Sequence, residues 1–474
     1  MASSLFITDV LKQVKNKYLA LIGDAEQFYL EFDDTIGRYQ KEQNRLNEAK
    51  HQLETIIAFE KSNGYYPAIK DQSDTEAYLN ELQQIIDKSR AAIKTLEPRI
   101  LGGYRRRTAM VNELADIIIG NTLNEKDANK FITTLVLRSP LPSAHSRCPS
   151  NEKNKPIYIA AWTACLFHRL VEQSLIDDKS ILEKVPTMVP SADNEDVLEP
   201  NPDMLNHYIC EVLRPIVIAS LIHQIGSYSV DASQFYKGNR YRLLNDKERE
   251  GLIKAIFENT NRYLEYGLGK PDQEAFSFQE AEDYKKAVNR YDLTDSILKG
   301  YVKPNNAMGN LLRIPMIYSS FLMSTKPKHD YSIIYKAYDI IKSGIDKELI
   351  HAGFGTQFLK MVGQFPLGSG IYFISTESGQ PERAIVIGMN PPEYNSAIVK
   401  QMTRRQIKYD DFSQTLVSYE SNLLNEQARK NSDFGSAYYE KQFPRGFTWN
   451  PAEFWEIEIN QDTFWRRDNT LKTN

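Results

Sequence analysis

The chain has 474 residues, 41% hydrophobic and 25% charged, the composition of a folded protein with room for roughly two to four domains and a substantial core. A net charge of -4 excludes a general attraction to nucleic acid or to an anionic membrane surface. No uninterrupted apolar run approaches the roughly 20 residues of a spanning helix, and the N-terminus lacks the pattern of a signal peptide. With three cysteines that lack metal-binding spacing, a cytoplasmic protein without structural zinc is expected.

The first predicted element is a long helix. Val14, Leu21, Phe28, Thr35, Glu42, Ala49 and Ile56 fall seven apart, and so do Tyr18, Ala25, Phe32, Tyr39, Leu46 and Leu53. This is an a/d seam of the coiled-coil kind, with polar breaks at Thr35 and Glu42. "SNGYYP", Ser62 to Pro67, interrupts it. A second helix is expected from "SDTE", where Ser73 and Glu76 have capping-box spacing. Leu79, Leu82, Ile86, Ile93 and Leu96 continue the stripe, and Pro98 with Gly102–Gly103 should close it. Residues 1–100 read as a helical hairpin or coiled-coil arm. Its seam has two outlets, packing within the chain or homodimerisation.

Residues 101–365 read as one α-helical domain of many short helices. The clearest are "AMVNELADIIIG", "IYIAAWTACLFHRLVEQSL", "YICEVLRPIVIASLIHQIG" and "KEREGLIKAIFENTNRYLEYG", with polar, proline-bearing "VPTMVPSADNEDVLEPNPD" among them. The character changes at "FPLGSG". "IYFIS", "RAIVIG" and "SAIVKQM" read as strands of a small antiparallel β-hairpin subdomain over 366–410. In the C-terminal extension, 411–474, "FTWNPAEFWEIEIN" suggests one more strand anchored by Trp449 and Trp455. The expected fold class is mainly α, with a small C-terminal antiparallel β appendage and an N-terminal helical arm.

Chemistry is concentrated at "ASLIHQIGSYSV", where an apolar helix runs into His223 and then a glycine. A histidine followed by aspartate in such a helix holds hard metal ions that activate water for attack on phosphorus. Here Gln224 stands in the aspartate's place, and its neutral amide cannot offset a divalent charge. The chain has seven histidines, none between His223 and His329, and the segment Asn310 to Lys328 contains no carboxylate. His207 and His168 lie on apolar helices, where a lone histidine is more often structural than a ligand.

The region from about 150 to 410 resembles the HD-GYP domain, a branch of the HD superfamily of metal-dependent phosphohydrolases that hydrolyses cyclic di-GMP. "IASLIHQIGSYSV" is similar to the helix bearing the family's His-Asp pair, and "RYRLLNDKEREGLIKAI" to the Leu-x-x-x-Glu helix after it. "LLRIPMIYSSFLMSTKPKHDYS" with "FPLGSGIYFISTESGQPERAIVIGMNPP" is similar to its last core helix and β-hairpin. The resemblance gives His223 and Glu248 counterparts among the family's metal ligands. It leaves Gln224, the positions near Ala255, Tyr318–Ser319 and Ile157–Tyr158, and the paired-histidine Gly-Tyr-Pro segment without theirs. "KGYVKP", Lys299 to Pro304, has the wrong spacing for that signature.

What the resemblance implies is therefore a pseudoenzyme: a non-catalytic, cofactor-free binding or interaction module in bacterial signalling, acting through protein partners or as a cyclic dinucleotide receptor. His223, Gln224, Arg240, Arg242 and Lys326 are the expected ligand-binding residues, with Lys254 and Arg262 as further cations. The alternative is a phosphodiesterase with an altered Fe or Mn site built from His223, His207, Glu248 or Asp231. Nucleic-acid binding through "GYRRRTAM" or "MTRRQIK" is a minor option, and no membrane partner is expected.

Overall fold

The apolar seam at the N-terminus folds as a nearly continuous rod: α1 (Ile7–Leu30), a π-helical turn at Asp33–Gly37, and α2 (Arg38–Asn63). In this computed structural model residues 6–67, 75–191, 198–272, 280–376, 378–402, 415–455 and 464–465 are described. Both polar breaks in the seam have local uses. The Thr35 hydroxyl donates to the Glu31 carbonyl at 2.6 Å inside the π turn, and Glu42 accepts from the buried Ser89 hydroxyl of the facing helix at 2.8 Å. Gly64, at φ +77°, ends α2 in the left-handed conformation that glycine adopts without strain.

The returning helix, α3, runs from Thr75 to Gly120 and does not stop at Pro98 or Gly102–Gly103 as expected. A proline inside a helix removes one hydrogen bond and crowds the preceding turn. Here Leu96, Ile100, Val111, Leu114 and Ile118 are buried along one face, and that packing carries the helix through. Ser73 of the expected capping box lies outside the described residues.

Packing divides the hairpin between residues 36 and 46 on the rod and between 86 and 96 on α3. Leu46, Ala49, Ile56, Leu82 and Ile86 form a small cluster of their own. Leu11 to Ile36 and Leu96 onward belong to the main core. Tyr18 and Tyr29 of α1 donate their hydroxyl protons to the carbonyls of Leu221 and Asn259 at 3.2 and 2.8 Å. The seam from Val14 to Phe28 is thus buried within the chain.

The helical region continues through α4 (Glu125–Leu137), α5 (Arg147–Glu172), α6 (Lys179–Leu182), α7 (Pro202–Tyr208), a π turn at Ile209–Leu213, α8 (Arg214–Ile222), α9 (Val230–Tyr236) and α10 (Asp246–Arg262). A second π turn, Tyr263–Gly269, leads toward α11 (Ala281–Gly300), α12 (Ala307–Leu322), α13 (Ala337–Asp346) and α14 (Ala352–Val362). The expectation of helices alone is corrected by a short antiparallel hairpin of β1 (Met188–Pro190) and β2 (Leu198–Pro200). Helices α5 and α8 sit at the centre, buried on nearly every side. Among the described residues one helical run, Pro202–Tyr228, is long and apolar enough to cross a membrane by length and composition, although Glu211 and Arg214 interrupt its apolar residues. Its most apolar window is 78% buried inside the protein, as a core helix.

The C-terminal sheet is larger than a hairpin. Strands β3 (Gly370–Ile374), β4 (Pro381–Gly388), β5 (Ala397–Met402), β6 (Thr415–Val417) and β7 (Thr448–Trp449) pair antiparallel in the order β6-β5-β4-β3-β7. Two of the five therefore come from the extension after 411. Between them lie α15 (Glu426–Asn431) and α16 (Gly435–Gln442), and α17 (Ala452–Trp455) follows β7. The expected strand in "FTWNPAEFWEIEIN" is thus two residues followed by a helical turn; 456–463 and the Trp455 side chain lie outside the described part. Trp449 donates its indole N–H to the Ile371 carbonyl at 3.0 Å. Ile371, Phe373, Ala384, Val386 and Val399 join the main core, so the sheet is a layer of it.

Candidate functional site

The eight apolar or small residues of α8 after Arg214 deliver His223 into the interior, where it is 0% exposed. Its Nδ1 lies 2.7 Å from the Ser220 carbonyl, which makes Nδ1–H the donor and leaves Nε2 as a lone pair with no partner among the described residues. Burial pushes the imidazole pKa down to about 4, and the Lys155 charge on α5 adds to the effect. Tyr301 meets the ring edge-on, with centroids 6.3 Å apart. The chain then turns at Gln224 and Gly226. A Cβ at Gly226 would lie 2.2 Å from the Ile256 carbonyl oxygen, so this glycine permits α10 to cross directly over the turn. Thr260 of α10 locks the crossing, accepting from the Gly226 amide at 3.1 Å and donating to the His223 carbonyl at 3.3 Å.

Lys155 is the charged residue that the sequence did not point to. Burial brings its ammonium down to about 8, helped by Lys326, and it donates to Ser320 of α12 at 2.9 Å. Lys155 lies 68 residues before His223 with no motif linking them. Tyr301 belongs to "KGYVKP", the segment whose spacing did not fit the family signature. Gln224 is half-buried, and Lys326 is exposed.

The other expected ligand residues are engaged inside the chain. Arg240 lies between the rings of Tyr228 and Tyr236, 4.2 and 4.8 Å from their centroids. It donates to the carbonyl and hydroxyl of Ser227 at 2.8 and 2.7 Å and pairs with Glu152. Tyr241 donates to the second oxygen of Glu152 at 2.7 Å. Arg242 pairs with Glu248 at 2.7 Å and donates to the Phe235 carbonyl. Arg262 pairs with Asp231 at 3.5 Å, and the exposed Lys254 lies 3.9 Å from Glu258.

Glu248 is a helix cap. It occupies the third position of α10, its backbone N–H donating to Asn245 and its carboxylate accepting from the Asn245 N–H. Hydrogen bonds from Arg242 and then Lys237 hold its carboxyl down at about 2. His207 is exposed on α7. His168 is kept neutral by burial, its pKa lowered to about 4. Asp231 also accepts from Asn259 at 2.9 Å. The donors proposed for an altered Fe or Mn site are therefore dispersed, and among the described residues no three His, Cys, Asp or Glu side chains are grouped to hold a metal. The charged group acting on His223 is the Lys155 ammonium and not a carboxylate.

Two of the three arginines of "GYRRRTAM" are also engaged. Arg106 and Arg107 pair with Asp24 of α1 at 2.7 and 3.3 Å, and Arg107 donates to the Gly267 carbonyl at 2.6 Å. The basic run of "MTRRQIK" falls on 403–408, outside the described residues. The molecule these elements define is a mainly helical protein with a five-stranded antiparallel sheet. Compared with protein-family models, with curated proteins and with solved structures, the chain matches none.

Proposed function

We propose that the chain is a non-catalytic HD-GYP-like protein that acts in bacterial signalling as a binding or interaction module. The observation that carries this is the fully buried His223, its Nδ1 held by the Ser220 carbonyl and Gln224 beside it, at the position where the resemblance places a metal-binding pair, with the Lys155 charge acting on the ring. An ammonium there opposes a divalent cation, and a neutral glutamine supplies no compensating charge. The same setting suits phosphate: Lys155 and Lys326 oppose each other's charge, and an anion would relieve both. A cyclic dinucleotide held near these lysines and not hydrolysed is the ligand this reading favours. Protein partners, a second copy of the chain included, belong to the same reading, with the arm as assembly element; the mass of the full chain in solution tests that part.

The decisive experiment combines metal content with ligand binding. Protein from manganese- and iron-supplemented medium is expected to carry less than about a tenth of an equivalent of metal by elemental mass spectrometry. It should bind cyclic di-GMP by calorimetry without hydrolysing it, and Lys155→Ala with Lys326→Ala should abolish binding. One equivalent or more of metal, lost in His223→Ala and accompanied by hydrolysis, would overturn the reading.

A further inference from the structure

A cavity of about 480 Å³ opens between α3, the π turn at Ile209–Leu213, α8, the π turn at Tyr263–Gly269 and α11. Both π turns line it, the first through Cys210 and Glu211, the second through Leu264, Leu268 and Gly269. A π turn interrupts the regular helical bonding and re-aims the side chains around it, and such turns concentrate at functional sites. The volume lies within the roughly 300–1,000 Å³ of small-molecule pockets. Val111, Pro215, Ile218, Leu264 and Leu268 make an apolar wall, with the Tyr291 ring beside them.

The polar end is specific. Glu211 is 5% exposed, and its Oε1 accepts from Arg290 at 2.5 Å. Its Oε2 has no hydrogen-bond partner among the described residues. A buried carboxylate oxygen without a donor is unfavourable, and a hydrogen-bond donor supplied by a ligand would relieve that cost. Charge is already balanced here: Arg290 answers Glu211, and the neighbouring Arg214 is bidentate on Asp116 at 2.9 and 3.0 Å. A cation would add an uncompensated charge beside two matched ion pairs, and an anion would meet Glu211. A neutral donor on an apolar body satisfies both constraints.

We propose that this cavity is a binding site for a neutral, largely apolar heterocycle bearing an N–H donor, with Glu211 Oε2 as its acceptor. The site uses none of the residues around His223 and stands independently of the function proposed above. The test uses the full chain and two probes that differ at one atom. 2-Quinolone carries a lactam N–H; N-methyl-2-quinolone has the same ring without the donor. Binding is followed by quinolone fluorescence up to about 1 mM. Its location is read from alkylation of Cys210, a partly exposed cavity residue, with the partly exposed Cys148 as reference.

2-Quinolone should bind at least about tenfold more tightly than its N-methyl analogue, the scale of a hydrogen bond to a charged group. It should slow alkylation of Cys210 and leave Cys148 unchanged. Glu211→Gln is expected to erase the difference between the probes. Ala287→Trp, at a partly exposed position in the wall, should abolish binding while the thermal transition is kept, so the outcome does not depend on the folding of the Glu211 variant. Equal affinity for the two probes, no saturable binding to the wild-type chain, or Cys210 protection that persists in Ala287→Trp would each overturn the proposal.

Discussion

At His223 the Ser220 carbonyl holds the Nδ1 proton and burial keeps the ring neutral, with a pKa near 4 against an ordinary 6.5. Between those two values the unfolded chain binds a proton that the folded chain refuses. Stability is therefore full above about pH 6.5 and falls as pH drops toward 4, by up to about 1.4 kcal/mol per pH unit for this group. His223→Leu should flatten that slope by this amount, measured as urea midpoints across the window. His168, also held near 4, keeps its own share. Gly226 is the second residue whose role is geometric. A Cβ there would lie 2.2 Å from the Ile256 oxygen and 2.7 Å from the Thr260 nitrogen, both backbone atoms. Gly226→Ala should cost about 2–3 kcal/mol in urea unfolding. Gly102→Ala, with nothing within 4 Å in the middle of α3, should be neutral or stabilising by comparison.

Among the elements, the long antiparallel pair formed by α2 and α3 is two structures in one. Near the main core α3 packs on α1, which pairs with it through Asp24 and is itself anchored by Tyr18 and Tyr29; farther out the α2–α3 pair rests on the small cluster around Leu46, Ile56, Leu82 and Ile86. Leu82 is 2% exposed, and Leu82→Ala should remove about 2–5 kcal/mol from that cluster alone. Hydrogen exchange is expected to quicken over 46–56 and 79–93 and to stay unchanged over 157–167 in α5. The seven-residue spacing of the seam was plain in the sequence because helix periodicity is local. Where the seam passes from the core to its own hairpin was not, because Val14 and Ala49 occupy the same heptad position and differ only in what lies opposite them.

Across the whole molecule, the C-terminal sheet ties the described residues after 370 to the core. β7 closes the sheet against β3, and Trp465 donates its indole N–H to Thr134 of α4 at 2.9 Å. Gly370 faces Trp449 so closely that a Cβ would lie 2.5 Å from the tryptophan carbonyl oxygen. Trp449→Ala should cost about 3–5 kcal/mol, read from thermal or urea unfolding of the full chain. If the sheet were a separate appendage, the same variant would leave the main transition in place and lose only a minor one.

By itself the sequence determined the mainly helical class, the heptad seam of α1 and α2, the β3–β4–β5 succession, and the arrival of His223 at the end of an apolar helix. Each of these follows from periodicity or turn chemistry within a few residues. Only the tertiary structure decided that Lys155 bears on His223, that Glu248 caps α10, that Arg240 is spent on Glu152, and that Glu211 keeps one oxygen without a donor among the described residues. It also carried α3 through Pro98 and drew β6 and β7 into the sheet. The physical reason is that a side chain's charge state and partners depend on which distant helices pack against it, and pattern along the chain carries no record of that packing.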